Sequence, residues 1–444
     1  MINRIIKTLT VVITVILLIN PAISSYSFLK NSNQRLSLEN NYEAKESKNI
    51  DQKIMQIIQM INETVIRRFL EKLVSIGPRM TGTYGCEKAA EYIYNEFKKM
   101  GLDTRYHYWE EFGNKWYPRH FQGQNIEATL NGEDENSKET LIFNAHYDTV
   151  KVAPGANDDG SGVAAVLTAA YVLSQFEFKR TIKFVTFSGE EEGLLGSKAY
   201  TKEIYDNNEE VFVEFNADMI GYAETTTGGK TFKIYGTEDT QWMIDDIEKI
   251  NQNYNIGFEN LPVNILNPNA RHGGSDYLNF IRYGYESIVF WQSEFNKNYF
   301  HTPEDTIEHV NFSYLVNTTR LIVGSLAYLA DVEMVYPQVK IVSPKKGKIY
   351  FEDRIIKNLK DFKTIVIDDA LIYAEVKPGN TSINKVEFYY DGKLMYKDTD
   401  PPYQWRLNKF SLLKHSVGVV VYDEADKTSH DYLFFTFINL NKHR

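Results

Sequence analysis

Apolar residues recur at helical spacing from about Asp51: Ile54, Ile57, Ile58 and Ile61, then Val65, Phe69 and Leu73, with Gly77-Pro78 closing the stretch. A second amphipathic helix is predicted through Ala89, Ala90, Tyr92, Ile93, Phe97 and Met100, stopped by Gly101. The rhythm then changes to short apolar runs of strand type at 141–143, 181–187, 211–215 and 287–290. Between and after them lie helical patterns at 162–173, 194–200, 241–251 and 312–329. Such alternation predicts an α/β fold, a mostly parallel sheet flanked by helices.

Past Tyr336-Pro337 the helical patterns stop. Short strand-like runs at 339–342, 365–367, 370–376, 386–390 and 417–422 are separated by turn signals such as Pro378-Gly379-Asn380, Asp391-Gly392 and Pro401-Pro402. This predicts a C-terminal all-β sandwich. The reading divides the chain into a signal peptide (1–25), a flexible spacer or propeptide (26–50), an α/β domain (51–335) and the β-sandwich (336–444).

Composition changes this picture little. A chain of 444 residues has room for two cores. Its formal charge of -10 argues against nucleic acid as a partner, because no basic excess exists to neutralise phosphates. The N-terminus says more. Arg4 and Lys7 precede an apolar run from Leu9 to Ile19, followed by Pro21, Ala22, Ser24 and Ser25. That order is that of a secretory signal peptide, so the protein is expected to be secreted, extracellular or cell-surface associated, with no stable membrane span after cleavage. Cys86 is the only cysteine, which excludes an intrachain disulfide and a thiolate metal cluster.

The chemistry gathers at strand ends. His146 and Asp148 follow the run at 141–143, Glu190 and Glu191 follow 181–187, Asp218 follows 211–215, and His301 lies beyond 287–290. Asp158 comes from the loop Gly155-Ala156-Asn157-Asp158-Asp159-Gly160-Ser161-Gly162. In open α/β sheets the crevice outside the carboxyl ends of the strands is where such groups meet. Two histidines and three carboxylates form a nitrogen and oxygen donor set suited to zinc, with cobalt or manganese as alternatives. A carboxylate shared by two ions would clamp one water and one substrate oxygen, leaving Glu190 to accept the proton of that water.

The chain resembles the co-catalytic two-zinc exopeptidases, a family that includes bacterial leucyl aminopeptidases, aminopeptidase Y and glutamate carboxypeptidase. The matching stretches are His146-Tyr147-Asp148-Thr149, Pro154 to Gly162, Gly189-Glu190-Glu191-Glu192-Gly193, Asn216-Ala217-Asp218-Met219, Gly274-Ser275-Asp276 and His301-Thr302-Pro303-Glu304-Asp305-Thr306, with Gly77-Pro78-Arg79-Met80 near the start. The resemblance implies two zinc ions per chain and peptide substrates. It implies that Asp158 bridges, that His146 and Asp218 complete one site, and that Glu191 and His301 complete the other. Asp148 would accept a hydrogen bond from His146, and Glu190 would act as general base. Where some members carry a tyrosine three residues before Ser275-Asp276, this chain has His272, the candidate for stabilising the oxyanion.

The C-terminal stretch resembles bacterial immunoglobulin-like modules through residues 385–394 and Asp400-Pro401-Pro402-Tyr403-Gln404-Trp405. Such modules serve as structural appendages, the favoured reading, or contact cell wall or polysaccharide. The expected activity is that of a secreted zinc aminopeptidase. A metallocarboxypeptidase, a glutaminyl cyclase-like enzyme and a non-catalytic surface-binding protein are the alternatives.

Overall fold

The structure is a computed structural model that describes residues 48–134, 137–266, 274–359 and 362–440. The signal peptide, nearly all of the spacer and His272 therefore lie outside the described residues. The chain divides into two units at Gln56; the described residues of the first, 48–56, are helical, and the second begins at Ile57.

The single helical stretch expected from Asp51 to Leu73 is two helices, α1 (48–60) and α2 (Glu63–Val74). The break has a local cause. Asn62 is extended and its side chain accepts the N–H of Val65, which makes it an N-cap that starts a new helix. α3 (Tyr84–Lys99) follows, capped by Thr83.

An eight-stranded sheet organises the large domain, in the order β1-β2-β4-β3-β5-β8-β6-β7. Its strands are β1 (Asp103–Phe112), β2 (His120–Leu130), β3 (Glu139–His146), β4 (Thr181–Phe187), β5 (Glu210–Ala217), β6 (Phe232–Gly236), β7 (Val263–Ile265) and β8 (Ser287–Gln292). The centre is parallel, β4-β3-β5-β8, whereas β1–β2, β2–β4 and β6–β8 pair antiparallel, so the sheet is mixed. The β1–β2 hairpin has no apolar rhythm because polar residues, Thr104, His107, Asn125 and Glu127, are buried along it among Trp109, Phe121, Ile126 and Ala128. Glu127 is compensated by Arg105, whose Nε lies 3.0 Å from its carboxylate.

Helices α4 (Gly160–Leu173), α5 (Leu195–Asp206), α6 (Gln241–Asn253), α7 (Tyr277–Tyr283) and α8 (Phe312–Asp331) flank the sheet. α4 is buried along nearly its whole length, as its small apolar residues permit. No helix among the described residues is long and apolar enough to cross a membrane. Burial pushes the Cys86 thiol up to about 12, so it stays protonated and inert at neutral pH.

The C-terminal region is all-β. A seven-stranded sheet packs over a three-stranded one, and Val386, Phe388, Val419, Leu433 and Phe437 fill the space between. It meets the large domain through polar and aromatic contacts: His430 N donates to Asp239 at 2.7 Å, Lys346 N to the Tyr205 hydroxyl at 2.9 Å, and Trp242 stacks on Tyr336. A cleft of about 840 Å³ lies there, lined by Trp242, Glu286, Lys340 and His430 among others, and it holds none of the ligands named from sequence.

Candidate metal centre

Strand register brings the ligands level. In the parallel β3–β5 ladder Asn144 faces Asn216, so His146 and Asp218, each two residues further on, stand side by side at the same sheet edge. His146 also faces Phe187, the last residue of β4, and Glu190 and Glu191 follow three and four positions later. His301 arrives from the segment after β8. Met219 and His301 both have left-handed backbone, at φ 52° and 59°, strained conformations beside ligand positions.

Two clusters result, His146 with Asp158 and Asp218, and Asp158 with Glu191 and His301, the donor atoms of each within 4.8 Å of one another. Asp158 belongs to both. Its Oδ1 lies 3.3 Å from His146 Nε2 and its Oδ2 3.2 Å from His301 Nε2. His301 Nε2 is 3.1 Å from Glu191 Oε2, and His146 Nε2 is 3.8 Å from Asp218 Oδ1. The first cluster is buried and the second opens outward: the His146 side chain is 2% exposed and that of His301 40%.

The donor set fits divalent zinc. Glu191 Oε1 and Asp218 Oδ1 are buried without a hydrogen-bond partner, a costly arrangement unless a cation completes it. The electrostatics agree. Burial would lower the His146 imidazole, but hydrogen bonding with Asp148, Asp158 and Asp218 outweighs it and holds it well above its ordinary value. Burial and the Asp158 charge push Glu191 up to about 7. Glu190 is held well above the usual carboxylate range by burial, with Glu191, Asp218 and Asp276 adding to the effect against the opposing pull of His146. A cage so rich in acid calls for positive charge.

The bracing residues are as informative as the ligands. The resemblance implies that Asp148 accepts a hydrogen bond from His146. Its main-chain oxygen is the nearer atom, at 3.2 Å from Nδ1, against 3.6 Å for Oδ1. A carbonyl can only accept, so Nδ1 carries a proton; Nε2 faces Asp158 and Asp218, where its lone pair would be free for a cation held between them. The Asp148 carboxylate instead accepts the N–H groups of Glu190 and Glu191, both at 3.3 Å, and so holds the turn that carries them.

Three residues that the sequence reading left without a role complete the frame. The Asp159 carboxylate accepts the N–H groups of His146 (3.3 Å), Met219 (3.0 Å) and Gly162 (3.0 Å), tying two ligand segments to the start of α4. The Asp158-Asp159 peptide bond is cis. Asp305 accepts from Asn157 and Asp158. Arg79, fully buried, donates to the carbonyls of Tyr147 (2.7 Å), Pro154 (2.5 Å) and Gly155 (2.9 Å). The Gly-Pro-Arg and Pro-Glu-Asp stretches were the only signal for Arg79 and Asp305. His272 lies among the undescribed residues 267–273.

Residues 125–326 match the sequence profile of peptidase family M28, and residues 337–431 that of the bacterial Ig domain. The chain is 30% identical over 236 residues to aminopeptidase YwaD of Bacillus subtilis (strain 168), which covers 52% of this chain and 50% of that protein. It thus spans about half the length of that curated relative. The structure is similar to the aminopeptidase from Aneurinibacillus sp. strain AM-1, with a TM-score of 0.53 and 19% identity over 62% of this chain and 96% of the other. It is also similar to Porphyromonas gingivalis glutaminyl cyclase, with a TM-score of 0.50 and 21% identity over 60% and 98%. At such identities the likeness is one of fold, and fold alone does not separate these activities.

Proposed function

We propose that this chain, whose residues 125–326 belong to peptidase family M28, is a secreted aminopeptidase holding two zinc ions and using Glu190 as general base. The observation that carries the reading is the split of Asp158, one carboxylate oxygen towards His146 and the other towards His301. His146, Asp158 and Asp218 would hold one ion, and Asp158, Glu191 and His301 the other. Bound there, zinc supplies Lewis acidity to the scissile carbonyl and eases deprotonation of the attacking water. Glu190 sits beside this centre on the turn braced by Asp148. It takes the proton of the attacking water and delivers it to the leaving amine. The outward-facing His301 side gives a peptide its entry, while the buried His146 side excludes bulk water.

Matched amino-blocked and unblocked peptides, assayed with and without chelator, test the reading. Release of the N-terminal residue from unblocked peptides only, lost with chelator, is expected. Cleavage of amino-blocked peptides from the carboxyl end would replace it with the metallocarboxypeptidase alternative.

Export rests on the charged, apolar and small-residue order of residues 1–25. N-terminal sequencing of protein from culture medium tests it, with a start downstream of Ala22 expected. The Ig domain acts as an appendage to the catalytic domain. Retention on purified cell wall that disappears on deleting residues 337–444 would instead give it a binding role.

A further inference from the structure

The β1–β2 hairpin is longer than the sheet it joins. β2 begins at His120, yet its ladder with β4 starts only at Ile126, which faces Thr186. Residues 120–124 therefore run past the carboxyl end of β4, an overhang of about 17 Å at the usual strand rise. That end is the one carrying Glu190 and Glu191, so the hairpin projects beside the metal centre.

The projection is anchored. Asn114 N donates to the carbonyl of Glu192 at 2.9 Å, and the Asn114 side chain accepts the N–H groups of Trp116 (2.8 Å) and Tyr117 (3.1 Å). Tyr117 packs on the cluster of Met80, Trp109, Phe121 and Leu195. Trp109 Nε1 donates to Ser188 Oγ at 3.2 Å, and its ring fills the space where a Cβ at Gly189 would stand, 2.7 Å away. Gly189 also has φ 78°, so the turn bearing the catalytic glutamates has a glycine where hairpin and turn touch. The Tyr117 phenol is held above its ordinary range by burial, then by the charges of Glu192 and Glu191, which puts it within electrostatic reach of a metal ligand.

An exopeptidase removing one residue must let the rest of the peptide run out to solvent. The centre opens on the side of His301, and the hairpin tip stands against Glu192 and Gly193, directly after the ligand Glu191. Trp116, 76% exposed, has no role in the core. We propose that the tip of this hairpin, residues 113–119, is the wall along which the leaving part of an oligopeptide lies, with Trp116 and Tyr117 as specificity-determining residues. This rests on the aminopeptidase reading and deepens it: the preferred substrates are oligopeptides, recognised beyond the cleaved bond through aromatic contacts.

The test uses the full zinc-loaded chain, with Trp116→Ala and Tyr117→Phe, on unblocked peptides of two to six residues sharing one N-terminal residue. Zinc content and Tm are measured on every variant. In the unmodified protein kcat/KM should rise with peptide length. Trp116→Ala should lower the hexapeptide-to-dipeptide ratio of kcat/KM about three- to tenfold, mainly through KM. Tyr117→Phe, which keeps the packed ring, should lower the same ratio by a smaller factor. An unmodified protein that cleaves the series, with an identical length profile in both variants, overturns the wall alone. An unmodified protein that cleaves none of the series sinks the aminopeptidase reading and the wall together.

Discussion

The carboxylate of Asp305 accepts the backbone N–H of Asp158 at 3.0 Å, so the segment that delivers His301 also fixes the residue shared by both donor clusters. Its second oxygen takes the N–H of Asn157 at 2.9 Å. Replacing Asp305 with alanine frees the backbone of 157–158 without removing a ligand. Zinc affinity should fall about 10- to 100-fold, the usual cost of losing an outer partner. Competition titration with a chromophoric chelator measures it, and unchanged affinity would remove Asp305 from the frame.

Glu190→Gln keeps the shape of the side chain and removes its basicity. Turnover should fall at least about 100-fold, while bound zinc, measured by atomic absorption, stays at the level of the unmodified protein. A fully active, metallated variant would transfer the proton chemistry to another residue.

Metal should stabilise as well as activate, because two clusters of partly unpartnered carboxylates are left behind without it. Dialysis against chelator should lower Tm and abolish hydrolysis, and added zinc should restore both. With free zinc at 100 times its Kd the expected stabilisation is about 2.7 kcal/mol per site. An unchanged Tm in scanning calorimetry would argue against a metal in the folded chain.

Arg79 donates to three carbonyls of the single loop that joins His146 to α4 and carries Asp158. Arg79→Ala leaves the carbonyls of Tyr147 and Pro154 without this donor, whereas Gly155 keeps the N–H of Gly160, and a loss of about 2–4 kcal/mol is expected from urea unfolding. A loss below about 1 kcal/mol would mean that water replaces the guanidinium without cost.

Acid should act on the β-sandwich through Glu387. Burial would raise its carboxyl, but hydrogen bonds from Lys385 (2.8 Å), Tyr389 (2.6 Å) and the nearby Lys397 hold it down to about 2. Since this lies below the ordinary value of 4.5, the contribution is complete above about pH 4.5 and is lost as pH falls towards 2. Glu387→Gln should therefore lower Tm near neutral pH, and the gap to the unmodified protein should close over that acid window. A gap independent of pH would show that packing, not charge, is at work.

The helices and central strands were legible because each buries one apolar face, and a period in the sequence reports that directly. The ligands were legible because strand ends converge in an α/β sheet, whatever the loops between them. The sequence by itself therefore determined the fold class and which side chains offer donors.

Tertiary structure decided the rest. The β1–β2 hairpin was invisible because buried residues along it, His107, Asn125 and Glu127, are polar and find their partners on other strands and helices. The carboxylates of Asp148, Asp159 and Asp305 act on backbone N–H groups, and Arg79 on backbone carbonyls. Every residue but proline carries an N–H and every residue a carbonyl, so no residue pattern can announce which of them is bound. That Asp158 turns one oxygen to each histidine depends on how three loops close over one sheet edge, and only the folded chain settles that.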